Sequence, residues 1–505
     1  MESKIELQAE TTAVGSIIDI LPVELMRGIL SCTPKPPSHT RLHDQPAYEM
    51  LQRAETPLKN MSLVSKRWRD IALPILFSHV VWVVEFLGMI AEPPPDVDDR
   101  LENFPLLCFL RHHDLARHVD SLTLIVRDLG KSPLALVSAS ELDGYAASSS
   151  LEAKISYDWL WDLVFGVVDP RTFIVIAMPD TLGSLLSRAV WEGDAWTFDM
   201  NTVNILSLAR PAATRAQLNA ATSSSPKQGA ADASSPASQT APASKLFTIR
   251  PWTHLLLNEG SFTPVYRTYE FFLRRPPSIL PGLLGCDSEA PPGTPRLIPP
   301  TIKSLSYVAI FPLSSHVNIL ATFLPCGLDH LLIQLMPDID SNILLSPREM
   351  HHLQLADLWM ERNTCYSLIM AKLLEWHKPG NRGEHFIITQ SNLADDDKED
   401  PDDPWASLRE FETGDSRDEE AWNLAVQQVQ LSRAGWFVER RGKFVRGLRR
   451  RVGVSAWDAS STASLWSDSS SVLSPEYLAE LSADFPSEPP PGIPSELTYG
   501  VPFSP

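Results

Sequence analysis

The sequence predicts an α+β protein in which an N-terminal module of three helices precedes a larger, irregular α/β region, with a disordered linker and a disordered tail. Three observations lead to this class. Apolar residues recur at helical spacing within residues 17–82, alternating apolar segments recur from residue 83 to residue 390, and two stretches consist mainly of small, polar and proline residues. With 505 residues, of which 44% are hydrophobic, the chain can bury a large core.

The N-terminal module, residues 17–82, begins with the segment "LPVELMRGIL". Its apolar residues at helical spacing predict a first helix with one apolar face, made by Leu25, Met26, Ile29 and Leu30. The proline-rich residues 31–56 predict an irregular insertion. "PLKNMSLV" then predicts a second helix, and Ser65 can cap a third helix that carries Trp68. We expect Pro74 to break or end this third helix.

The α/β region falls into a first part, residues 83–210, and a second part, residues 245–390. Strands are predicted at "SLTLIV", "TFIVIAM", "SLSYVAIF" and "HLLIQLM", and helices at Tyr157–Val168, Val265–Arg274 and Met350–Trp376. Leu305 and Leu331 lie 26 positions apart with a helix-like segment between them, a spacing close to one unit of a leucine-rich-repeat array. No other pair of predicted strands keeps this spacing. We therefore expect an irregular α/β layer or curved stack, whose strand order the sequence leaves open.

Four further segments are defined by composition. Residues 211–244 contain 11 alanines and 7 serines and predict a disordered linker, and residues 455–505 predict a disordered tail. The segment 391–420 carries 13 acidic and 3 basic residues, whereas the end of the helical and basic segment 421–454 carries 8 basic residues and 1 acidic residue between positions 433 and 451. We expect these oppositely charged blocks to lie close together or to compete for one partner.

The overall composition limits the classes of partner. The net charge of −19 disfavours binding of the whole chain to nucleic acid or to an anionic membrane. The N-terminus shows no secretory signal and no segment is long and apolar enough to span a bilayer, so we expect an intracellular protein. Five widely spaced cysteines, without a CxxC pair, predict buried free thiols.

A search for catalytic, metal-binding and nucleotide-binding patterns finds no convincing site, so we predict no catalytic residue, no metal and no cofactor. "IVRDLGKS", residues 125–132, resembles the end of a phosphate-binding loop, but Ile125 stands where the loop needs its first glycine. His112 and His113 are adjacent on a predicted helix and point to different sides. The aromatic and arginine residues of 433–451 could grip nucleic acid, yet an internal or substrate-docking role is favoured over that interpretation.

The segments "LPVELMRGIL" and "LKNMSLVSKRWRDIALPILFSHVVW" together resemble the F-box, the small helical module by which substrate receptors join cullin-based ubiquitin ligases through the Skp adaptor. Leu21 and Val64 are 43 positions apart, because the insertion 31–56 makes this module longer than is usual for the family. Proline-rich insertions at this point, and several segments further along the chain, are similar to F-box proteins of filamentous fungi.

The resemblance implies a substrate receptor without chemistry of its own, located in the cytoplasm or the nucleus. Its partners would be the Skp adaptor, the cullin scaffold and an unknown target protein. The residues that would meet the adaptor or support the surface that does are Leu21, Pro22, Leu25, Ile29, Leu30, Leu63 and Val64, with Trp68 locking the small core. The alternatives are an F-box scaffold that works outside the ligase, an enzyme with an unfamiliar site in the α/β region, and an ordinary three-helix cap on a larger domain.

Overall fold

The structure is a computed structural model, and it describes part of the chain. The described residues are 21–32, 42–46, 57–85, 101–127, 157–188, 190–191, 193–198, 202–211, 244–286, 296–338, 341, 343–375, 404–405, 407–432 and 435–447. They belong to one compact unit, Met1–Leu448. Most of the insertion 31–56, nearly all of the linker 211–244, the acidic run 395–403 and the whole tail 455–505 lie outside the described residues.

The described part of the chain contains twelve α-helices and ten strands. The helices are α1 (Val23–Ser31), α2 (Pro57–Met61), α3 (Lys66–Leu76), α4 (Pro105–His112), α5 (Asp158–Val167), α6 (Pro179–Leu185), α7 (Lys245–Thr248), α8 (Leu280–Leu284), α9 (Ser314–Thr322), α10 (Pro347–Met350), α11 (Leu355–Glu375) and α12 (Glu419–Ser432). The strands are β1 (His79–Val84), β2 (Ser121–Val126), β3 (Thr172–Ala177), β4 (Asn204–Ala209), β5 (His254–Ser261), β6 (Ser304–Ile310), β7 (His330–Gln334), β8 (Glu410–Thr413), β9 (Trp436–Arg440) and β10 (Lys443–Arg446).

All ten strands form one mixed sheet in the order β1-β2-β3-β4-β5-β6-β7-β8-β10-β9. Most strands therefore pair with their neighbours in sequence. Five pairings are parallel and four are antiparallel, the latter at β4 and at the terminal β9–β10 hairpin. Because β4 pairs with β5, the sheet is continuous across the linker 211–244. The two parts of the α/β region are therefore one layer. The sequence predicted an α+β protein, and the structure confirms the coarser part of that class: it mixes helices with strands, which form one large, mostly parallel sheet.

The two faces of the sheet carry separate apolar clusters. Side chains alternate between the two faces along each strand, so in a strand that is covered on both faces nearly every side chain is buried. β2 and β4 meet this description, and all six residues of β2 are buried. One face packs with the helices in a large core that includes Trp161, Trp252 and Tyr307. The other face has a smaller cluster around Ile174 and Ile205.

The four predicted strands are confirmed as β2, β3, β6 and β7. The expected strand–helix–strand unit is also present: β6 leads through α9 into β7, and Leu305 pairs with Leu331 in parallel register. The helix expected at Tyr157–Val168 is α5. The sequence did not reveal β5, whose buried Asn258 and Glu259 make it look less apolar than a core strand.

Three predictions about helices need correction. The helix expected at Val265–Arg274 is wrong: two short 3-10 turns, Thr263–Arg267 and Phe271–Leu273, occupy this stretch, and the left-handed backbone of Glu270 (φ 57°) separates them. The helix expected at Met350–Trp376 is interrupted near His352, which is also left-handed, and Trp376 lies outside the described residues. Pro74 does not end the third helix at once: α3 continues to Leu76, although the proline has no N–H to donate to the carbonyl of Asp70.

Two further corrections concern the module and the cysteines. The strand β1 starts at His79, so the last residues assigned to the module 17–82 belong to the sheet. All five cysteines are free thiols, as expected, but only Cys365 is buried, and burial raises the pKa of its thiol. Cys32 and Cys326 are exposed, because they lie at a helix end and in a loop rather than in the core.

The oppositely charged blocks meet in the structure, within the residues that are described. β8 from the acidic block pairs with β10 from the basic block. Arg440 reaches Glu412 at 2.6 Å, and Lys443 reaches Glu410 at 2.9 Å. The expected proximity is therefore confirmed for these residues, and a β-hairpin instead of a helix presents the basic side chains.

Candidate functional site

The candidate site is the N-terminal module, which has a small core of its own. Five side chains are buried there, Met26, Leu30, Leu58, Ile71 and Ala72, and Trp68 is half-buried against them. Helix α3 packs on both α1 and α2. Its start is fixed by Ser65, whose hydroxyl accepts a hydrogen bond from the Trp68 backbone N–H at 3.3 Å, as the sequence predicted.

Five large aliphatic side chains in the described part of the module are exposed: Val23 is 38% exposed, and the other four are more than half exposed. Leu25 and Ile29 are 56% and 58% exposed, and Leu63 and Val64 are 71% and 68% exposed. Single exposed apolar residues are ordinary, but two pairs on one module of this size are typical of a surface that a partner covers. These four residues therefore form the candidate contact surface, and we call them the aliphatic surface.

The two pairs come from segments that are joined directly. The guanidinium of Arg67 donates a hydrogen bond to the backbone carbonyl of Leu21, at the start of α1. Arg67 follows Leu63 and Val64 by only a few residues, so this contact brings the N-terminal end of α1 to the α2–α3 turn. Pro22 is exposed at the same end, and Leu21 is half-buried.

Leu30 has a different position from the other predicted contact residues. It is 1% exposed and lies in the core of the module, so it supports the aliphatic surface and does not belong to it. The helical repeat explains the difference, because Met26 and Leu30 are four residues apart on the inner side of α1, whereas Leu25 and Ile29 are four apart on the outer side. The sequence placed all four on one apolar face.

Sequence reasoning missed how the module is attached to the sheet. Residues 42–46, which belong to the insertion, lie against β5 and β7, and we call them the strap. The side-chain amide of Asn258 donates to the carbonyls of Leu42 and Asp44 at 2.8 and 2.7 Å, and the amide of Gln334 donates to the carbonyl of His43 at 3.3 Å. Leu42 also packs on the smaller apolar cluster of the sheet. No local pattern in the sequence could have shown these pairings.

A buried polar network in the large core is the first of two places that resemble an active site. Glu259 accepts hydrogen bonds from Tyr307 at 2.7 Å and from Ser278, and it lies 2.8 Å from His316. Burial alone would raise the pKa of Glu259, but the charge and hydrogen bonds of these partners lower it below its usual range. The carboxylate is thus fully used in joining four segments of the core.

The second place is a row of Ser304, His330 and Glu412 on neighbouring strands. Ser304 Oγ lies 2.8 Å from His330 Nδ1, and His330 Nε2 lies 3.5 Å from Glu412 Oε2. The order of groups is that of a hydrolase triad. However, the N–H of Ser304 donates to the carbonyl of Thr253, so it cannot stabilise an oxyanion. This row therefore gives no support to acyl transfer.

The described residues contain neither a metal-binding cluster nor a membrane-spanning helix. Within the described ranges, no group of three or more His, Cys, Asp or Glu side chains could hold a metal ion. No helix in the described part of the chain has the length and apolar character needed to cross a membrane. Comparisons with protein-family models, with curated proteins and with solved structures found no match to this chain.

Proposed function

We propose that this chain is the substrate-recognition subunit of a Skp-cullin-F-box ubiquitin ligase. The observation that carries the proposal is the aliphatic surface, four exposed side chains on a helical module that has its own small core. In this proposal α1, α2 and α3 are the three helices of an F-box, and Leu21, Pro22 and the aliphatic surface bind the Skp adaptor. Leu30 and Trp68 hold the helices in place.

The α/β region in this proposal captures the target protein. The unit β6–α9–β7 and the sequential order of most strands support a leucine-rich-repeat-like stack, in which the same supersecondary unit is repeated side by side. The antiparallel pairings at β4 make the stack irregular. A layer of this kind offers a long surface to a protein partner.

The mechanism is catalysis by proximity. The module binds the adaptor and through it the cullin scaffold, while the α/β region holds the target near a conjugating enzyme. Fixing two reactants in one assembly makes their encounter intramolecular, which raises the rate without any catalytic group on this chain. The attachment of α3 to the sheet serves this role, because only two residues separate α3 from β1 and Leu73 of α3 packs against the large core. The assembly works in the cytoplasm or the nucleus.

Binding of the full chain to purified Skp adaptor tests the proposal. Leu25→Ala with Ile29→Ala should weaken binding about ten- to a hundred-fold, since burying a leucine-sized side chain is worth about 1.5–3 kcal/mol. The melting temperature should hardly change, because both residues are exposed. Leu345→Ala is the matched control, since Leu345 is 76% exposed but lies outside the module. If the wild-type chain does not bind the adaptor, the F-box assignment is wrong.

A second measurement separates the ligase from a scaffold that works outside it. Both use the same adaptor contact, so adaptor binding alone does not distinguish them. Affinity purification should recover the adaptor, the cullin and a third protein. The half-life of that third protein should lengthen in cells that carry the Leu25→Ala, Ile29→Ala variant. An unchanged half-life would favour the scaffold.

A further inference from the structure

A cleft between α11 and α12 has the features of a binding site. Its volume is about 320 Å³, at the lower end of the range for small-ligand pockets, so it has room for one side chain and not for a helix. The floor is formed by the ends of β8 and β10, and the loop after β8 closes one end. The cleft contains no residue of the module, the strap or the row around His330.

The floor of the cleft is aromatic and rigid. Trp422 stacks on Phe444 with ring centroids 4.8 Å apart, and Phe444 stacks on Phe411 at 6.3 Å. All three rings are buried, and Met370 completes the floor. Phe411 and Phe444 are 1% exposed and Trp422 is 9% exposed, so the rings close the base of the cleft, while Leu424, which is 55% exposed, and Ala425 give it an accessible apolar side.

One wall of the cleft is a preformed polar network. Asp415 accepts hydrogen bonds from the Tyr366 hydroxyl at 2.6 Å and from the N–H of Leu335 at 2.7 Å. Burial raises the pKa of this carboxyl group, and the hydrogen bonds only partly offset the effect. Thr413 bonds to the same Tyr366 hydroxyl at 2.7 Å. The wall is therefore fixed before any ligand arrives, which reduces the entropy lost on binding.

The charge that the cleft presents to solvent is negative. Glu420 is exposed, and Asp418 is 25% exposed. The one cation of the lining, Arg362, is only 2% exposed, and its charge is matched by Asp418 at 2.6 Å. An anionic ligand would therefore meet two carboxylates before it could reach the guanidinium.

Arg362 is held in place in the lining of the cleft. Its Nε atom is buried and has no hydrogen-bond partner among the described residues, although buried donors are normally paired. The guanidinium is held close to the rings of Trp359 and Tyr366, at 5.5 and 5.1 Å from their centroids, so it cannot turn easily towards another acceptor.

We propose that the cleft binds a lysine or arginine side chain of the target protein, presented on an extended segment. The aliphatic stem lies against Leu424 and Ala425, and the charged group pairs with Glu420, with the partly exposed Asp418 close by. That the bound segment belongs to a target protein rests on the proposed ligase function, whereas the preference for a basic side chain follows from the cleft alone. The inference thus adds a recognition element to the α/β region.

Calorimetry with short blocked peptides tests this proposal on the full chain. The probes are Gly-Gly-Arg-Gly-Gly, the same peptide with norleucine, which keeps the stem but lacks the charge, and the same peptide with glutamate. The arginine peptide should bind more tightly than the norleucine peptide and the glutamate peptide most weakly. The preference for arginine should shrink as salt rises, because the carboxylates are partly exposed. Equal binding of the norleucine peptide would show an apolar site, and no binding of the arginine peptide up to millimolar concentration would overturn the proposal.

Two pairs of variants locate the binding. Glu420→Gln should weaken binding of the arginine peptide about two- to five-fold, whereas Glu419→Gln should not. Both residues are exposed in the first turn of α12 and lose the same interaction with the helix dipole, but only Glu420 lines the cleft. Gln428→Trp at the exposed rim should block binding, and Leu431→Trp, exposed on the same helix outside the cleft, should not. Equal effects within either pair would show that the peptide binds elsewhere.

The same variants separate this proposal from the ligase assignment. Adaptor binding should be unchanged in Glu420→Gln and Gln428→Trp. If the chain binds the arginine peptide but not the adaptor, the cleft proposal is supported and the ligase proposal is wrong. If the chain binds the adaptor but shows no preference for arginine, the ligase proposal is supported and the cleft proposal is wrong.

Discussion

The N-terminal module and the helix-covered side of the sheet differ in where they place their apolar side chains. In the described part of the module only five apolar side chains are buried, and four aliphatic side chains are more than half exposed. On the covered side of the sheet the large apolar residues of β2, β3 and β6 face inwards, and several of them are completely buried.

This difference separates folding from binding. A residue of the large core can be changed only at the cost of stability, because its contacts are all internal. A residue of the aliphatic surface has few contacts to lose in the free chain. Substitutions in the large core should therefore lower stability, whereas substitutions in the aliphatic surface should lower binding.

Trp252→Ala should cause the largest loss of stability, about 3–5 kcal/mol, because it empties a completely buried site. It also leaves the carbonyl of Leu246 without the hydrogen bond that the indole N–H donates at 2.9 Å. Urea unfolding of the full chain measures the effect. Trp196→Ala, at a 64% exposed position, should stay within about 0.5 kcal/mol, and Trp68→Ala, half-buried in the module, should fall between the two. A loss for Trp68→Ala as large as that for Trp252→Ala would contradict the contrast.

Leu30→Ala should unfold the module while the sheet stays folded. It removes one of only five buried side chains there, at a cost of about 2–4 kcal/mol, which is large for so small a core. Hydrogen exchange should show lost protection confined to residues 21–32 and 57–76, together with lost adaptor binding. Ile29→Ala is the control, since it is adjacent but exposed, and it should weaken binding without changing protection. Uniform loss of protection across the sheet would mean that the two regions unfold together.

Much of the large region could be predicted from the sequence, because strands such as β2 and β6 carry their apolar pattern locally. The spacing between Leu305 and Leu331 even gave a complete strand–helix–strand unit. What could not be predicted depends on distant partners. The polar residues of β5 are tolerated in the interior because the strap and His316 pair with them.

The same limit applies to the sites. The apolar residues of the module were recognisable, but their division into an inner pair and an outer pair depends on how α1 packs against α3. The left-handed backbone of Glu270 interrupts the helix predicted at Val265–Arg274. Glycine is the residue that usually indicates this conformation in a sequence, and position 270 is a glutamate. The cleft between α11 and α12 joins residues more than forty positions apart, so no motif marks it.

Asn258→Asp should release the strap from the sheet and lower the free energy of unfolding by about 2–3 kcal/mol. The change keeps the oxygen that accepts from the Gly260 N–H at 3.0 Å, but it replaces two hydrogen-bond donors by a carboxylate oxygen facing two carbonyls. Protease cleavage near residues 42–46 should become faster while adaptor binding is kept. Asn363→Asp, on the exposed surface of α11, is the control. Unchanged cleavage in Asn258→Asp would show that the strap is held by its apolar contacts alone.

Acid should weaken the sheet region, and Asp169 accounts for part of this effect. Burial alone would raise the pKa of this carboxyl group. The hydrogen bonds and charges of Arg250, at 2.8 Å, and of Arg210 have the opposite and larger effect, so the pKa of Asp169 in the folded chain lies below its usual value of 3.8. A carboxyl group whose pKa is lower when folded than when unfolded stabilises the fold at neutral pH, and this contribution is lost as the pH falls through the folded pKa. Unfolding measured from pH 6 down to pH 3 should therefore show a decline that Asp169→Asn makes shallower. Asp70→Asn, exposed in the module, should leave the decline as it is. Parallel declines in the two variants would mean that other carboxylates control the acid stability of the sheet.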